Sequence, residues 1–248
     1  FYSAGNIYNQ THTRNIEQLG GLIKKMPKTA IFFLLGAIAI SGLPPFNGFI
    51  SEFLIYSGMF KVLHTANFST SFILLAGILG LVFIGGLAIY CFTKVFSIVF
   101  LGNERSSKTE HATEVEKSML LPKLIISVFI VLIGVVPFII MKPLSSIVGL
   151  YTDVSVFESV IPSFTGITLS VGLMLLFIII ISIIRSIVQK NKTINEGNTW
   201  GCGYTGANPA LHQYTATSYA DYIGNLTKPL TQVKKYYKEI DKDEIFPN

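Results

Sequence analysis

Glu52 sits inside a long apolar run, directly after the helix-breaking stretch Gly42-Leu-Pro-Pro-Phe-Asn-Gly48. A carboxylate near the centre of a bilayer costs about 2.5–3.5 kcal/mol even on insertion scales, so such a group is normally kept for an ion or a proton. Gly42, Pro44, Pro45, Asn47 and Gly48 would free backbone groups that lipid cannot satisfy. A break of that kind is tolerated only against protein or a wet cavity. An ionisable group beside a broken membrane helix is a common way to build an ion site. The chemistry implied is proton exchange at Glu52, with Ser41, Asn47 and Ser51 holding the water that feeds it. The competing reading is a structural carboxylate, bonded to freed backbone N–H groups or to a lysine of a neighbouring helix.

Lys94 is the second candidate, in Phe92-Thr-Lys94-Val-Phe. It lies about 12 Å along its helix from the end that charge places in the cytoplasm. Its ammonium could pair with Glu52 or pass charge to one side, or it could simply snorkel to the headgroups. His12, beside Thr11 and Thr13, could relay protons near neutral pH, against an interfacial alternative. Lys61 and His64 stand where a far-side exit would be, and interfacial anchoring accounts for both. No nucleophile–base pair, phosphate loop or nucleic-acid surface is visible. Cys91 in a membrane helix and Cys202 in a polar tail argue against a disulfide, and His12, His64, His111 and His212 are scattered. These spacings predict no iron–sulfur cluster, haem or zinc in this chain.

The elements that must position these residues are apolar helices. Half of the residues are hydrophobic, 13% are charged, and the mean hydropathy is +0.56. The runs 29–60, 71–102, 119–141 and 163–184 are long enough for a core that needs about 20 residues per crossing. The first reads as one crossing interrupted at Pro44-Pro45, and Phe1 to about Gln10 as the end of an earlier helix. The 71–102 run would be about 48 Å long, so it should tilt or protrude. Its Gly77, Gly80, Gly85 and Gly86 offer smooth faces for close helix packing. The opening at Phe1, without a basic n-region or cleavage site, predicts no signal peptide and a C-terminal piece of a longer polypeptide.

The net charge of +5 belongs to helix ends and the tail rather than to one cationic stripe. Arg14, Lys24, Lys25 and Lys28 make the 11–28 loop basic, and Arg105, Lys108 and Lys117 do the same for 103–118, diluted by four glutamates. The 63–70 link has no Lys or Arg, with Lys61 at its edge, and Arg185, Lys190 and Lys192 follow the last run. The positive-inside rule therefore puts 11–28, 103–118 and the tail in the cytoplasm. That topology requires 29–60 to cross once; a full turn at Pro44-Pro45 would flip every later side.

The string Ile16-Glu-Gln-Leu-Gly-Gly-Leu-Ile-Lys-Lys-Met-Pro27, followed by the apolar run and Ser41-Gly-Leu-Pro-Pro-Phe-Asn-Gly-Phe-Ile-Ser-Glu52, resembles a known family. It is similar to the antiporter-like, proton-conducting subunits shared by respiratory complex I, Mrp-type cation/proton antiporters and membrane-bound hydrogenases. Trp200-Gly-Cys-Gly-Tyr204 with Gln213-Tyr-Thr-Ala-Thr-Ser-Tyr-Ala220 looks most like the large membrane subunit of hydrogenase-4 and formate hydrogenlyase complexes. The resemblance implies an all-α, polytopic transmembrane helix bundle, the C-terminal half of an inverted-repeat fold, with Glu52 as the charged residue of the second broken helix. It implies an antiporter-like core at 1–141 containing the broken helix 29–60, a loop and peripheral helix at 142–188, and a cytoplasmic tail at 189–248.

The function implied is proton movement across the cytoplasmic membrane, driven by redox partner subunits, by way of Glu52, Lys94 and His12. The chain itself would bind no cofactor and catalyse no redox step; iron–sulfur clusters, nickel or quinone sites would belong to the partners. The rivals are a Mrp-like Na+/H+ antiporter component, a non-conducting anchor for redox partners, and an intramembrane enzyme, which has no catalytic constellation behind it.

Overall fold

The computed structural model describes residues 1–151, 161–190, 192–193, 210, 213–232 and 234. The described residues are all-α, with no strand. In chain order the helices are α1 (Tyr2–Thr11), α2 (Pro27–Ile40), α3 (Asn47–Leu63), α4 (Phe68–Phe100), α5 (Lys117–Val135), α6 (Phe138–Val148), α7 (Ile161–Gln189) and α8 (Ala216–Thr231). Three of them, α4, α5 and α7, are long and apolar enough to cross a membrane. Their outward residues are apolar, as lipid requires: Phe83 on α4, Phe129 on α5 and Phe177 on α7 are all exposed.

The interrupted crossing divides as its sequence predicts, into α2 and α3 around residues 41–46. The 119–141 run does not form one helix: α5 ends at Val135 and α6 begins at Phe138. Pro137 explains the division, since it has no N–H to continue α5 and disfavours helical backbone at Val136. The last described helix, α8, covers Ala216–Thr231 and takes in part of the Gln213–Ala220 string. The string Trp200–Tyr204, with Cys202, and His212 lie outside the described residues.

The chain forms two compact units. One is made of Phe1–Leu34, Tyr90–Leu120 and the described part of Gly201–Asn248. Its core joins Leu22, Met26 and Ala30 to Val99 and Phe100 at the end of α4 and to Ala112 and Val115. The excess length of α4 is thereby used: its last turn is buried, with Phe100 0% exposed, and Phe33 lies 5.3 Å from the Phe100 ring. Polar ties reinforce this core. Lys25 Nζ meets Glu104 at 2.6 Å and donates to the carbonyls of Thr109 and Glu110. Glu114 accepts from the N–H groups of Lys28 and Thr29 and from the Thr29 hydroxyl. A carboxylate there satisfies donors that the first turn of α2 leaves open.

Arg105 binds three segments of that unit at once. It donates to the carbonyls of Leu19, Ile98 and Tyr214. Burial pushes the Arg105 guanidinium below its ordinary pKa, and Glu17 opposes that shift. Gln213 exchanges hydrogen bonds with the backbone of Asn103 in both directions, at 3.1 and 3.0 Å. Glu17 accepts from the N–H groups of Ala216 and Thr217, while the Thr215 hydroxyl oxygen takes that of Ser218. The Tyr219 ring packs tilted against that of Tyr90, whose hydroxyl donates to the Tyr219 carbonyl. Gln213, Tyr214, Ala216, Thr217 and Tyr219 thus each meet a partner far upstream, and Gln213–Ala220 is a docking string.

The packing of this unit also bears on the topology. The start of α2 and the end of α4 pack together, so the chain between them crosses an even number of times. Counting α2–α3 as one crossing and α4 as its return satisfies that parity; a hairpin at Pro44-Pro45 would make three crossings and violate it.

The second unit is Leu35–Ile89 with the described part of Leu121–Trp200. Its core sets Phe49, Ile50 and Phe53 of α3 against Met141 of α6 and Phe164 of α7, with the Phe53 and Phe164 rings 6.1 Å apart. Gly77 of α4 admits the Met59 methyl, whose carbon would lie 3.5 Å from a Cβ there. Gly80, Gly85 and Gly86 differ from the close-packing expectation: among the described residues, a Cβ on any of them would meet nothing within 4 Å.

Candidate functional site

The break between α2 and α3 is a built turn. Gly42 adopts φ +67°, a left-handed conformation that glycine takes at little cost. Its N–H donates to Ala39, that of Leu43 to Ile38, and that of Phe46 to Leu43. The Ser41 hydroxyl donates to the Ala37 carbonyl at 2.8 Å. These N–H groups and the Ser41 hydroxyl are thus satisfied locally, which a membrane interior favours.

Two glycines let other backbone come close. A Cβ on Gly48 would sit on the Ala39 carbonyl, 3.1 Å from its carbon. A Cβ on Gly134 of α5 would sit on the Pro45 carbonyl and 2.6 Å from Phe46 Cα. The turn is therefore clamped from its own helix and from α5.

Glu52 belongs to the second turn of α3. A helical side chain lies over the turn N-terminal to its own Cα, so Glu52 reaches back to the break. Its carboxylate rests against the open face of Gly42, where a Cβ would come within 2.6 Å of the carboxyl carbon. It is half-buried and lines an open cleft of about 390 Å³ with Gly36, Ala39, Asn47, Gly48, Ser51 and Ile130. The Ser51 hydroxyl folds back to the Gly48 carbonyl at 2.9 Å. Among the described residues no hydrogen bond or ion pair holds the Glu52 carboxylate. Such an arrangement, an ionisable oxygen pair on an accessible cleft beside a helix break, can take up and release a cation or a proton.

Gly42, Pro44, Pro45, Asn47, Gly48 and Glu52 are brought together in one unit. His12 and Lys94 belong to the other. His12 is exposed and left-handed at the end of α1, with φ 50°. Lys94 is half-buried in α4. Sequence reading passed over Gly36, Ala39, Ile130 and Gly134, which are small or apolar and carry no chemical signal of their own. Only a glycine at the end of an apolar helix, Gly134, hinted at a close approach. Among the described residues no three His, Cys, Asp or Glu side chains are grouped to hold a metal.

Residues 1–73 match the model of the NADH:quinone oxidoreductase/Mrp antiporter transmembrane family. The chain belongs to the antiporter-like membrane subunits of the complex I/Mrp superfamily. It is similar to formate hydrogenlyase subunit 3 of Escherichia coli, 31% identical over 97% of this chain and 38% of that protein. Hydrogenase-4 component B of the same organism is 30% identical over 82% of this chain and 32% of its own length. One Na(+)/H(+) antiporter subunit of Bacillus subtilis is 35% identical over 51% of this chain and 16% of its own length. The chain thus spans about a third of the length of the two hydrogenase-type relatives. As an antiporter-like chain with three spanning-length apolar helices, it is an integral membrane protein.

Proposed function

We propose that this antiporter-like chain belongs to a proton-translocating subunit of a redox-driven complex in the cytoplasmic membrane. The observation that carries the reading is the Glu52 carboxylate seated on Gly42 at the helix break, open to a cleft and held by no described partner. Protonated, Glu52 is a neutral group beside a polar turn; ionised, it is a costly charge in that setting. Alternation between the two moves one proton per cycle. Lys94 tunes Glu52 or passes charge to the next half-channel, and His12 relays protons at the aqueous end. Residues 1–141 are the transporting core, 142–188 add a peripheral helix, and the loops 11–28 and 103–118 face the cytoplasm with the tail 189–248. The redox chemistry, with its iron–sulfur, nickel or quinone groups, belongs to partner subunits; the two hydrogenase-type relatives are by name a component and a subunit of larger enzymes.

The similarity to the Bacillus subtilis antiporter protein favours a second reading, exchange of Na+ for H+ without an electron donor. One experiment separates them. Proton uptake is followed in inverted vesicles holding the intact assembly, with Glu52→Gln against the unsubstituted protein and redox turnover measured separately. The proton reading expects uptake to fall in Glu52→Gln, in proportion to turnover and regardless of Na+. Uptake that runs on a Na+ gradient without electron donor supports the antiporter. Uptake unchanged in Glu52→Gln makes this chain a scaffold.

A further inference from the structure

α5 is inverted relative to a helix of a soluble protein. Its open faces are apolar, with Leu121, Ile125 and Phe129 all at least half exposed. Its covered stripe holds Lys123, 5% exposed, and Ser127, 7% exposed. On the same stripe Ile130 lines the Glu52 cleft and Gly134 meets the break. The successive separations of four, three and four residues keep all four positions on one helix face. Among the described residues no other charged side chain is so fully covered. A lysine serving only to reach the headgroups would carry its ammonium to the surface; Lys123 does not.

Lys123 lies about 10 Å from Ile130 along the axis of α5, with the Ser127 side chain between them on the covered stripe. That gap exceeds one hydrogen bond, and a lysine side chain, a hydroxyl and bridging water can span it. From this placement we infer that Lys123 is a second proton-exchanging station serving the Glu52 cleft through Ser127 and water. The inference rests on the reading of Glu52 as a proton site. In the step, an N–H bond of the Lys123 ammonium breaks and its proton enters the water chain. At the other end an O–H bond forms on Glu52, leaving a neutral amine and a neutral carboxylic acid. Lys123 takes its next proton from the aqueous side at which α5 begins, and Glu52 releases its proton to the other side. No electron is transferred.

The test uses the intact assembly in vesicles with Lys123→Arg, Lys123→Met, Ser127→Ala and Glu52→Gln, following proton uptake, redox turnover and the amount of assembled protein. Arginine keeps the charge and gives up the exchange, because it stays protonated in proteins. The inference expects both Lys123 variants to lower uptake per turnover by about a hundredfold, the scale of a lost proton-transfer group. Ser127→Ala should lower it less. Wild-type uptake in Lys123→Arg would overturn the inference and make Lys123 a fixed structural charge. Should Lys123→Met fail to assemble, Lys123→Arg alone decides between those outcomes. If Glu52→Gln abolishes uptake while the Lys123 variants do not, this inference fails and the proposed function stands. If Glu52→Gln too is without effect, both fail.

Discussion

Glu52 and Gly42 depend on each other. The left-handed backbone at Gly42 (φ +67°) has no side chain to spare for its open face, and the Glu52 carboxylate occupies that space. Gly42→Ala therefore meets two objections at once, a strained conformation costing about 1–3 kcal/mol and a methyl placed on the carboxylate. The expected outcome is a lower melting temperature of the detergent-purified protein together with loss of proton uptake. Gly58→Ala on α3 is the control, because a Cβ there meets nothing within 4 Å; it should change neither. If Gly42→Ala matched Gly58→Ala in both measurements, the seat of Glu52 would not be Gly42.

At the scale of elements, helix ends in this chain are finished by carboxylates from elsewhere in the sequence. Glu114 caps α2 and Glu17 caps α8. Two of the glutamates that dilute the basic 103–118 loop thus have structural work, Glu104 with Lys25 and Glu114 on α2. Glu17→Ala should cost about 0.5–2 kcal/mol, the range for a lost helix cap. Hydrogen exchange should then speed at Ala216 and Thr217 and stay unchanged along α2. α5 faces the opposite demand, that of fitting a neighbour's backbone. Gly134→Ala puts a carbon 2.6 Å from Phe46 Cα, so backbone must shift at a cost of about 1–3 kcal/mol. Faster hydrogen exchange at Gly42 and Leu43 in the detergent-purified Gly134→Ala protein is the expected sign; exchange at the unsubstituted rate would mean that α5 does not hold the break.

For the whole molecule, the parity of crossings makes a prediction about sides. With Cys91 and Cys202 replaced by serine, cysteines introduced at Arg14 and Ser107 should be labelled by an impermeant thiol reagent from one side of the membrane. A cysteine at Asn67, between α3 and α4, should be labelled from the other. Labelling of Asn67 from the same side as Arg14 would restore the hairpin at Pro44-Pro45.

The apolar runs, the interruption at Gly42–Gly48 and the charge at Glu52 were legible from the sequence alone. Hydrophobic length, proline and an acid inside an apolar run act locally, and a bilayer penalises them wherever the rest of the chain goes. The basic loops led to the expectation of one broken crossing, since charge bias acts over the residues next to a helix end. Only the tertiary structure decided that Gln213–Ala220 is a docking string, that Gly134 clamps the turn, and that Lys123 is covered rather than reaching the surface. These facts depend on which distant segments meet: Glu17 with Ala216, Pro45 with Gly134, Arg105 with Leu19 and Tyr214. Spacing along the chain carries no information about such partners. A lysine near the start of an apolar run reads the same whether it snorkels or is enclosed, and only the packing around α5 separates the two.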